Sequence, residues 1–358
     1  MNIAFCYNVK HIGASKNLTA QAEAEFDSPE TIRAVENALK SRGHKVLKIE
    51  ADEDSYLKFK ENREWIDIVF NISEGLRGAI REAQIPALLE MLGIPYTHSG
   101  ALTEAITLDK TLTKQVLIHS NIPTPRYQLF RTGKELINPD LKYPLLVKPN
   151  SEGSSKGIFN ENLVMDPVKL FERIEFVISQ FKQEALVEEF IDGREFTVAI
   201  LGNPPKVLPI VEQNYTIFPE NMPHLASYEA KWLFEDQLPN PHDSYFCPAK
   251  LDANTEKLIT NTCIRIWEAL DIKDVARIDL RLDRNGIPNV LEVNTMPGLI
   301  PDQNVVSYFP VAARKSGLNY EEMVNTILDS AVKRYGLKQV QKSSLIREYA
   351  VVEKNSKS

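Results

Sequence analysis

Short apolar runs alternate with amphipathic segments along the first hundred residues. The apolar runs that predict strands are 2–7, 45–50 and 66–72. The amphipathic segments that predict helices lie near 29–42 and 81–92. Ser28 and Pro29 suit the start of the first helix, and Gly43 and Gly93 suit the ends of the two helices. Strands and helices that alternate in this way predict a Rossmann-like parallel α/β sheet over residues 1–100.

The rest of the chain divides into two further α+β blocks and a tail. Block 101–180 contains a predicted helix near 102–119, a strand at 145–149 and a short strand at 157–159. Block 181–337 contains predicted strands at 185–191, 194–201, 275–282 and 288–294, and predicted helices near 254–270 and 320–335. Residues 338–358 are polar and rich in Lys and Ser, which predicts an exposed tail.

The last two of these strands form the most informative pattern in the chain. They are joined by a turn that contains Asn285-Gly286, a pair that favours a tight hairpin. The oxygen ligands that then lie side by side are Asp279, Glu292 and Asn294, and such a set suits Mg²⁺. Arg277 lies on the same face as Asp279 and can stabilise an anion beside the metal. An amphipathic hairpin with solvated charges is the alternative.

A polar loop, 150–157, follows an apolar strand that carries Lys148 near its end. The small residues, two hydroxyls and lysine of this loop can fold over phosphates, although the residue order of a Walker A loop is absent. A polar hairpin turn is the alternative for the loop. A lysine inside an apolar strand needs an anionic partner, which favours phosphate contact for Lys148.

Two further sets of polar residues lie where a ligand can bind. Glu188 and Glu195 flank a bend at Asp192-Gly193 and can accept hydrogen bonds from an adenine amine or a ribose. Surface charges are the alternative for these two carboxylates. The loop after the first strand, where open α/β sheets usually bind ligands, carries Lys10, His11 and Ser15. A solvated loop is the alternative there.

Composition and charge narrow the range of functions. The 358 residues carry a net charge of −7 with a pI near 5.6, which argues against a nucleic-acid surface. No stretch reaches the roughly 20 apolar residues of a membrane span. The three cysteines have no metal-binding spacing and suit a reducing compartment. The sequence therefore predicts a cytoplasmic protein with no nucleic-acid or membrane partner.

Seven motifs follow one another in a characteristic order. They are Lys110, VKP with Lys148, EGSSKG at 152–157, EEFI with Glu195 after it, YEAK at 228–231, RIDL at 277–280 and LEVNTMPG at 291–298. This order resembles that of the ATP-grasp ligases and is most similar to the D-alanine–D-alanine ligase family, over roughly residues 66–330. The resemblance implies an ATP-grasp fold, in which a Rossmann-like N-terminal domain precedes two α+β lobes that clasp ATP.

The resemblance implies a role for each motif. The implied phosphate contacts are Lys110, Lys148, Lys231 and the lid residues Glu152, Ser154 and Ser155. The implied nucleoside contacts are Glu188 and the backbone of Ile191 for adenine, and Glu195 for ribose. The implied ligands of two Mg²⁺ ions, for which Mn²⁺ can substitute, are Asp279, Glu292 and Asn294. The implied oxyanion site is Arg277 with the backbone N–H of Gly298, and Lys231 and Ser154 are further catalytic groups.

These residues predict an ATP-dependent ligase. ATP would convert a carboxylate or an enolised carbonyl into an acyl or enol phosphate, which the amine of an amino acid then attacks with release of ADP and phosphate. The expected partners are a small-molecule carboxylate or carbonyl substrate and an amino acid. The family is commonly dimeric, which predicts a homodimer. A non-catalytic nucleotide-binding regulator and a kinase that releases the acylphosphate are the alternatives.

The segments that hold the substrates in the D-alanine ligases differ in this chain. Segment 8–17 lacks the family's ammonium-binding glutamate, 71–75 replaces a His-Gly segment, 299–304 replaces a Ser-rich run, and Trp232 stands where tyrosine is usual. These differences predict a product other than D-alanyl-D-alanine. A candidate is the ligase that joins an amino acid to mycosporine-glycine, a ring ketone. D-Alanine–D-alanine or dipeptide ligation is the main alternative.

Overall fold

A computed structural model describes residues 1–11, 23, 25–220 and 222–337, without the side chains of residues 232 and 236. Ser15 and the predicted tail, 338–358, lie outside the described residues. The described part of the chain contains three β-sheets with helices packed on them. None of the helices in this part is long and apolar enough to cross a membrane.

The N-terminal sheet is parallel, as predicted. Its strands are β1 (Asn2–Tyr7), β2 (Lys45–Glu50) and β3 (Ile68–Asn71), in the order β2-β1-β3. Its helices are α1 (Pro29–Ser41), α2 (Ser55–Glu61) and α3 (Gln84–Leu92), and a 3₁₀ turn, Arg81–Ala83, precedes α3. The Ser28 hydroxyl caps α1 by accepting a backbone N–H at 3.2 Å, and Gly93 ends α3 in the left-handed conformation.

The predicted helix 102–119 is two helices, α4 (Ala101–Leu108) and α5 (Lys110–His119). The single-helix prediction is wrong because Asp109 adopts an extended conformation, with φ −82° and ψ 101°, and caps α5 with its carboxylate. The break makes Lys110 the first residue of α5, and its N–H donates to the carbonyl of Asn150 at 3.1 Å. The start of α5 is thereby fixed to the polar loop.

The central sheet is antiparallel. Its strands are β4 (Tyr127–Phe130), β5 (Leu145–Pro149), β6 (Leu163–Val164) and β7 (Ala185–Glu189), in the order β4-β7-β5-β6. Helix α6 (Pro167–Phe181) begins after Asp166, whose carboxylate accepts two backbone N–H groups. Its Leu170, Ile174 and Val177 pack in one core with apolar side chains of β5 and β7.

The structure bears on two predictions about the central region, the short strand 157–159 and the boundary of the central lobe. The predicted strand 157–159 is wrong, because Ser154, Ser155 and Gly157 have positive φ and the segment turns instead of pairing with a strand. Strand β7 pairs with β4 and β5, although the predicted division at 180/181 assigns it to the C-terminal lobe. We therefore propose that the central lobe extends to Glu189.

The C-terminal sheet has six strands. They are β8 (Glu195–Leu201), β9 (Lys206–Val207), β10 (Val211–Gln213), β11 (Tyr245–Phe246), β12 (Val275–Leu282) and β13 (Pro288–Asn294). Five lie in the order β11-β10-β8-β12-β13, and β9 pairs with β8. Helix α7 (Ala253–Ala269) packs on this sheet through Ile259, Cys263 and Ile266. The predicted hairpin is confirmed, since β12 and β13 pair antiparallel and the Gly286 N–H closes their turn on the Asp283 carbonyl at 2.9 Å.

Two C-terminal helices attach the N-terminal domain to the C-terminal lobe. They are α8 (Tyr308–Lys315) and α9 (Tyr320–Arg334). Phe309 and Ile327 from these helices share one core with Ile3 and Phe5 of β1. The side-chain amide of Asn325 also donates to a carbonyl of α1 at 2.7 Å. Loops of the N-terminal domain therefore reach the cleft between the other two sheets.

Candidate active site

A cavity between the central and C-terminal sheets collects side chains from separate parts of the chain. The predicted residues that line it are Lys110, Lys148, Glu152, Ser154, Ser155, Glu188, Ile191, Glu195, Lys231, Arg277, Asp279 and Glu292. Asn294 and Gly298 line an adjoining cavity, which Arg277 and Glu292 also reach. The structure thus brings all the predicted nucleotide, metal and oxyanion residues together in one cleft.

The hairpin of β12 and β13 carries Asp279 and Glu292 and is called the acidic hairpin below. The register of its two strands determines which of its side chains lie side by side. Arg277 pairs with Asn294 and Asp279 pairs with Glu292, so the four side chains share one face of the hairpin. A bulge follows directly, because the register shifts after Asp279 and leaves an extra residue on β13. That residue, Leu291, lines the cavity beside Glu292.

Asp279 and Glu292 have the environment expected of cation ligands. Asp279 accepts hydrogen bonds from Thr197 at 2.8 Å and from Arg277 at 3.0 Å, and the Asn294 amide lies 3.4 Å away. Burial raises the pKa of Asp279, Arg277 lowers it and Glu292 raises it again, so the pKa lies above its ordinary value. Two half-buried carboxylates beside an amide fit Mg²⁺, because a bound cation would relieve their repulsion.

Lys110 joins this acidic hairpin to the polar loop. Its Nζ lies 2.8 Å from Oε1 of Glu292 and also donates to the carbonyl of Glu152. Burial alone would lower the pKa of Lys110, but the charge of Glu292 raises it above its ordinary value. Burial alone would raise the pKa of Glu292, and Lys110 holds it below its ordinary value. Both groups are therefore charged at neutral pH.

Glu188 is buried between two lysines, one of which the sequence analysis missed. Its carboxylate lies 2.5 Å from Nζ of Lys148 and 2.9 Å from Nζ of Lys114. Burial opposes ionisation, but the two lysines lower the pKa of Glu188 to about 2. Burial lowers the pKa of Lys114 to about 8. The available signal for Lys114 was its position four residues after Lys110, on the same face of one helix.

Arg277 lines both cavities, and Gly298 lines the second of them. One N–H of Arg277 contacts Asp279, while its Nε is buried and has no hydrogen-bond partner among the described residues. Gly298 is held by its carbonyl, which accepts the hydroxyl of Ser307 at 3.0 Å. A guanidinium and a glycine backbone beside the same space suit a developing oxyanion.

The lid, residues 150–157, and the closing loop, residues 225–232, contact each other. The hydroxyl of Ser155 donates to the carbonyl of Ala226 at 2.8 Å. Ser155 is thus bonded to the closing loop, whereas Ser154 lines both cavities. Lys231 lies on a π-helical turn, Ala230–Phe234, and burial together with the charge of Arg277 lowers its pKa.

Comparison with known proteins identifies the family. A family model described as the D-ala D-ala ligase C-terminus matches residues 116–329. An uncharacterized protein, y4sG, of Sinorhizobium fredii (strain NBRC 101917 / NGR234) is 38% identical over 83% of this chain and 86% of its own length. A D-alanine–D-alanine ligase of Desulforudis audaxviator (strain MP104C) is 32% identical over 91% of this chain and 100% of its own length. The chain belongs to the D-alanine–D-alanine ligase family.

The family assignment agrees with the fold. The solved D-alanine–D-alanine ligase of Bacillus anthracis matches with a TM-score of 0.69 and 25% identity, over 94% of this chain and 99% of that chain. The predicted ATP-grasp fold is thereby confirmed. As a member of this family the protein is an ATP-dependent carbon–nitrogen ligase, and the substrates of the family are small molecules such as amino acids.

This ligase has an acidic cluster, Glu25, Glu74 and Glu82, that the sequence analysis missed. Carboxylate oxygens of the three residues lie within 4.8 Å of one another, and they line the same cavity as Arg277 and Gly298. Burial, followed by the neighbouring carboxylates, raises the pKa of Glu74 well above its ordinary value and that of Glu82 to about 8. The three glutamates come from segments that are distant in sequence. The pattern of any one segment could therefore not predict the cluster.

The remaining predicted residues divide between the cleft and the surface. Lys10 lines a cavity that Arg277 and Gly298 also line, whereas His11 is exposed and donates its N–H to Glu23. A further residue was missed on β12. Arg281 of this ligase contacts both Glu195 and Ile191, the residues expected at the ribose and adenine.

Proposed function

We propose that this ligase transfers the γ-phosphate of ATP to a substrate carboxylate and joins the resulting acylphosphate to the amine of an amino acid. The observation that carries the proposal is the convergence of three lysines, two carboxylates and Arg277 in one cleft. Phosphoryl transfer needs little more from a protein than positioning and charge neutralisation, which such a set provides.

The charges in the cleft support a proposed position for the phosphates and for the metal. Lys110, Lys148 and Lys231 bind the phosphates, since all three lie in the cavity and two of them are buried. Asp279, Glu292 and Asn294 would hold Mg²⁺, with Mn²⁺ as a substitute, and the family resemblance favours two ions. The bound metal would supply further neutralisation of charge on the phosphates.

The second half of the reaction takes place at Arg277 and Gly298. Phosphorylation converts one oxygen of the substrate carboxylate into part of a leaving group, and the amine then attacks the acyl carbon. The N–H groups of Arg277 and Gly298 stabilise the tetrahedral oxyanion until phosphate leaves with the electrons of the broken C–O bond. The contact between the lid and the closing loop keeps water away from the acylphosphate.

The acidic cluster favours a substrate that carries an ammonium group. Its three carboxylates line the cavity of the oxyanion residues, where the activated substrate has to lie. Glu25 comes from the segment between β1 and α1, and Glu74 and Glu82 come from the segment between β3 and α3. An ammonium group beside them would favour the ionised forms of Glu74 and Glu82, whose pKa is raised by burial. Relatives such as the protein of Desulforudis audaxviator are D-alanine–D-alanine ligases by name. We therefore prefer the carboxylate of an amino acid to the enolised carbonyl of mycosporine-glycine as the activated group.

Amine-dependent release of ADP in the presence of Mg²⁺ tests the proposal. D-Alanine, the L-amino acids in pairs, and mycosporine-glycine with each amino acid are the substrates to screen. We expect ADP and an amide product only when both a carboxylate and an amine are present. ADP release without an amine would indicate a kinase, and turnover of mycosporine-glycine alone among the first substrates would overturn the preference for an amino acid.

A separate variant tests the proposed metal ligands. Asp279→Asn should lower the rate of ADP release at least about 100-fold, because it removes one charge from the metal site. Asp140→Asn changes an exposed aspartate and should leave the rate unchanged. Similar rates in both variants would show that Asp279 is not a ligand.

The quaternary structure and the location in the cell stay predictions. The family resemblance predicts a homodimer, which sedimentation equilibrium would test. The sequence predicts a cytoplasmic protein, which cell fractionation would test.

A further inference from the structure

Arg281 is the third member of an alternating polar series on β12. Arg277, Asp279 and Arg281 are two residues apart and therefore lie on one face of the strand. The first two lie at the proposed oxyanion and metal sites, whereas Arg281 lies at the other end of the cavity with its side chain only 2% exposed. A fully buried arginine requires a complete set of partners.

The partners of Arg281 are the residues expected to contact the nucleoside. Its Nε donates to Oε2 of Glu195 at 2.7 Å, and its Nη2 lies 2.5 Å from the same oxygen. Its Nη1 donates to the carbonyl of Ile191 at 3.0 Å. One planar side chain thus holds both the proposed ribose ligand and the backbone segment proposed for adenine.

The same guanidinium also reaches the segment that leads to the closing loop. Nη2 contacts the hydroxyl of Tyr215 at 3.2 Å and the carbonyl of His224. The rings of Tyr215 and His224 are stacked at 5.3 Å, and the ring of Phe190 lies 4.6 Å from the guanidinium carbon. A lysine cannot replace these contacts, because it lacks the planar fork of five donors.

Glu195 is engaged on one oxygen only. Arg281 and the Tyr215 hydroxyl both contact Oε2, while among the described residues Oε1 has no hydrogen bond. Glu195 lines the cavity, and Arg281 orients its carboxylate without occupying the second oxygen. An acceptor fixed in this way can bind a ribose hydroxyl with little loss of side-chain freedom.

We propose that Arg281 is a positioning residue, which aligns Glu195 and the Ile191 carbonyl so that the cavity recognises the ribose of ATP. This inference rests on the proposed function in one respect, that ATP binds in this cavity. Arg281 acts through Glu195 and does not contact the nucleotide itself. Arg281 therefore controls how strongly the cavity prefers a nucleotide with ribose hydroxyls over one without them.

Equilibrium binding of ATP and of 2′,3′-dideoxy-ATP, with Mg²⁺ and no second substrate, tests this role. In the unchanged protein ATP should bind about tenfold or more tightly than the dideoxy nucleotide, since a hydrogen bond to a charged group is lost. Arg281→Lys should reduce this ratio to nearly one, because ATP is weakened more than the dideoxy nucleotide, which keeps its adenine but has no ribose hydroxyls to lose. Glu195→Gln should have a similar effect, and the double variant should lose no more than either single variant.

The matched control is Arg194→Lys. Arg194 also forms a two-pronged pair with a glutamate, Glu212, and lies over an aromatic ring, but it is half-exposed and does not line the cavity. This variant should keep the full preference for ATP. If Arg281→Lys folds poorly, Tyr215→Phe removes the hydrogen bond to Oε2 of Glu195 together with the contact of the same hydroxyl with Arg281, and should lower the same ratio by a smaller factor.

Each outcome separates the inference from the proposed function. Equal weakening of both nucleotides in Arg281→Lys would show that Arg281 only supports the fold, and would overturn the inference. An unchanged ratio in both Arg281→Lys and Tyr215→Phe would also overturn it. Failure of the unchanged protein to bind ATP at all would refute the proposed function instead.

Discussion

Glu188 is the carboxylate that neutralises two buried lysines of the cleft, Lys114 and Lys148. Glu188→Gln leaves Lys114 and Lys148 buried without their counter-ion, so we expect the free energy of unfolding to fall by about 3–5 kcal/mol at neutral pH. Urea denaturation followed by circular dichroism would measure the loss. Glu172→Gln breaks an exposed pair with Lys169 and should leave the free energy of unfolding almost unchanged. Equal losses in the two variants would contradict the assignment of a buried charge network.

The same carboxylate predicts how stability depends on acid. The pKa of Glu188 is about 2 in the folded protein, below its ordinary value of 4.5. Between these values the unfolded chain binds more protons than the folded one, so the stabilisation is present above about pH 4.5 and is lost as the pH falls toward 2. The stability curve of Glu188→Gln should lack this component. A curve with the same slope in that window would show that other carboxylates cause the acid sensitivity.

At the scale of single residues, sequence predicted the side chains whose partners lie nearby in a regular element. The alternation on β12 was enough to place Arg277 beside Asp279, and the hairpin was enough to place Glu292 opposite. Arg281 belongs to the same alternation, but its importance comes from Glu195 on another strand. Lys114 is likewise important because it pairs with Glu188, which is distant in the sequence. Pairing between distant segments is a property of the tertiary fold, which one sequence does not reveal.

The break between α4 and α5 is the element that sets the position of Lys110. Asp109→Ala removes the cap of α5 and should cost about 1 kcal/mol of stability. Because Lys110 follows directly, we also expect the dissociation constant for ATP to rise several-fold in equilibrium binding. Asp166→Ala removes the comparable cap of α6 and should cost similar stability with no change in ATP binding. Equal effects of the two variants on ATP binding would show that the break does not position Lys110.

At the scale of elements, the apolar and polar pattern predicted the strands and most helices but not their local interruptions. The break at Asp109 had a signal, since aspartate is a frequent capping residue, but the apolar periodicity on both sides concealed it. The bulge at Leu291 and the turn at 154–157 had weaker signals, because each is fixed by contacts to a neighbouring segment. Both irregular segments line the cleft. Departures from regular structure are thus concentrated where ligands are proposed to bind.

At the scale of the whole molecule, the N-terminal domain contacts the lid. Glu25 accepts the N–H of Gly153 at 2.7 Å, and Arg81 donates to the carbonyl of Ser151 at 2.8 Å. These contacts hold Glu25 of the acidic cluster, and Arg81 beside it, against the lid. The residues proposed for the nucleotide lie on motifs that a single sequence reveals, whereas the proposed substrate half forms only when the three sheets are assembled.

The acidic cluster predicts how binding of an ammonium-bearing substrate depends on pH. The pKa of Glu82 is about 8, chiefly because burial disfavours its charged form. Below that pH Glu82 takes up a proton and the cluster loses negative charge, so KM for an amino-acid substrate should rise as the pH falls, by up to about tenfold per unit. In Glu82→Gln the KM should be raised and should depend less on pH over the same range.

The control for this prediction is Glu53→Gln, which removes an exposed carboxylate paired with Arg77 in the same domain. It should keep the pH profile of the unchanged ligase, because Glu53 does not line the cleft. KM values measured with ATP saturating would isolate the substrate from the nucleotide. A slope that persists in Glu82→Gln would place the titrating proton on another group. A flat profile in the unchanged ligase would show that its substrate does not meet the cluster as a cation, and would favour a first substrate without an amine.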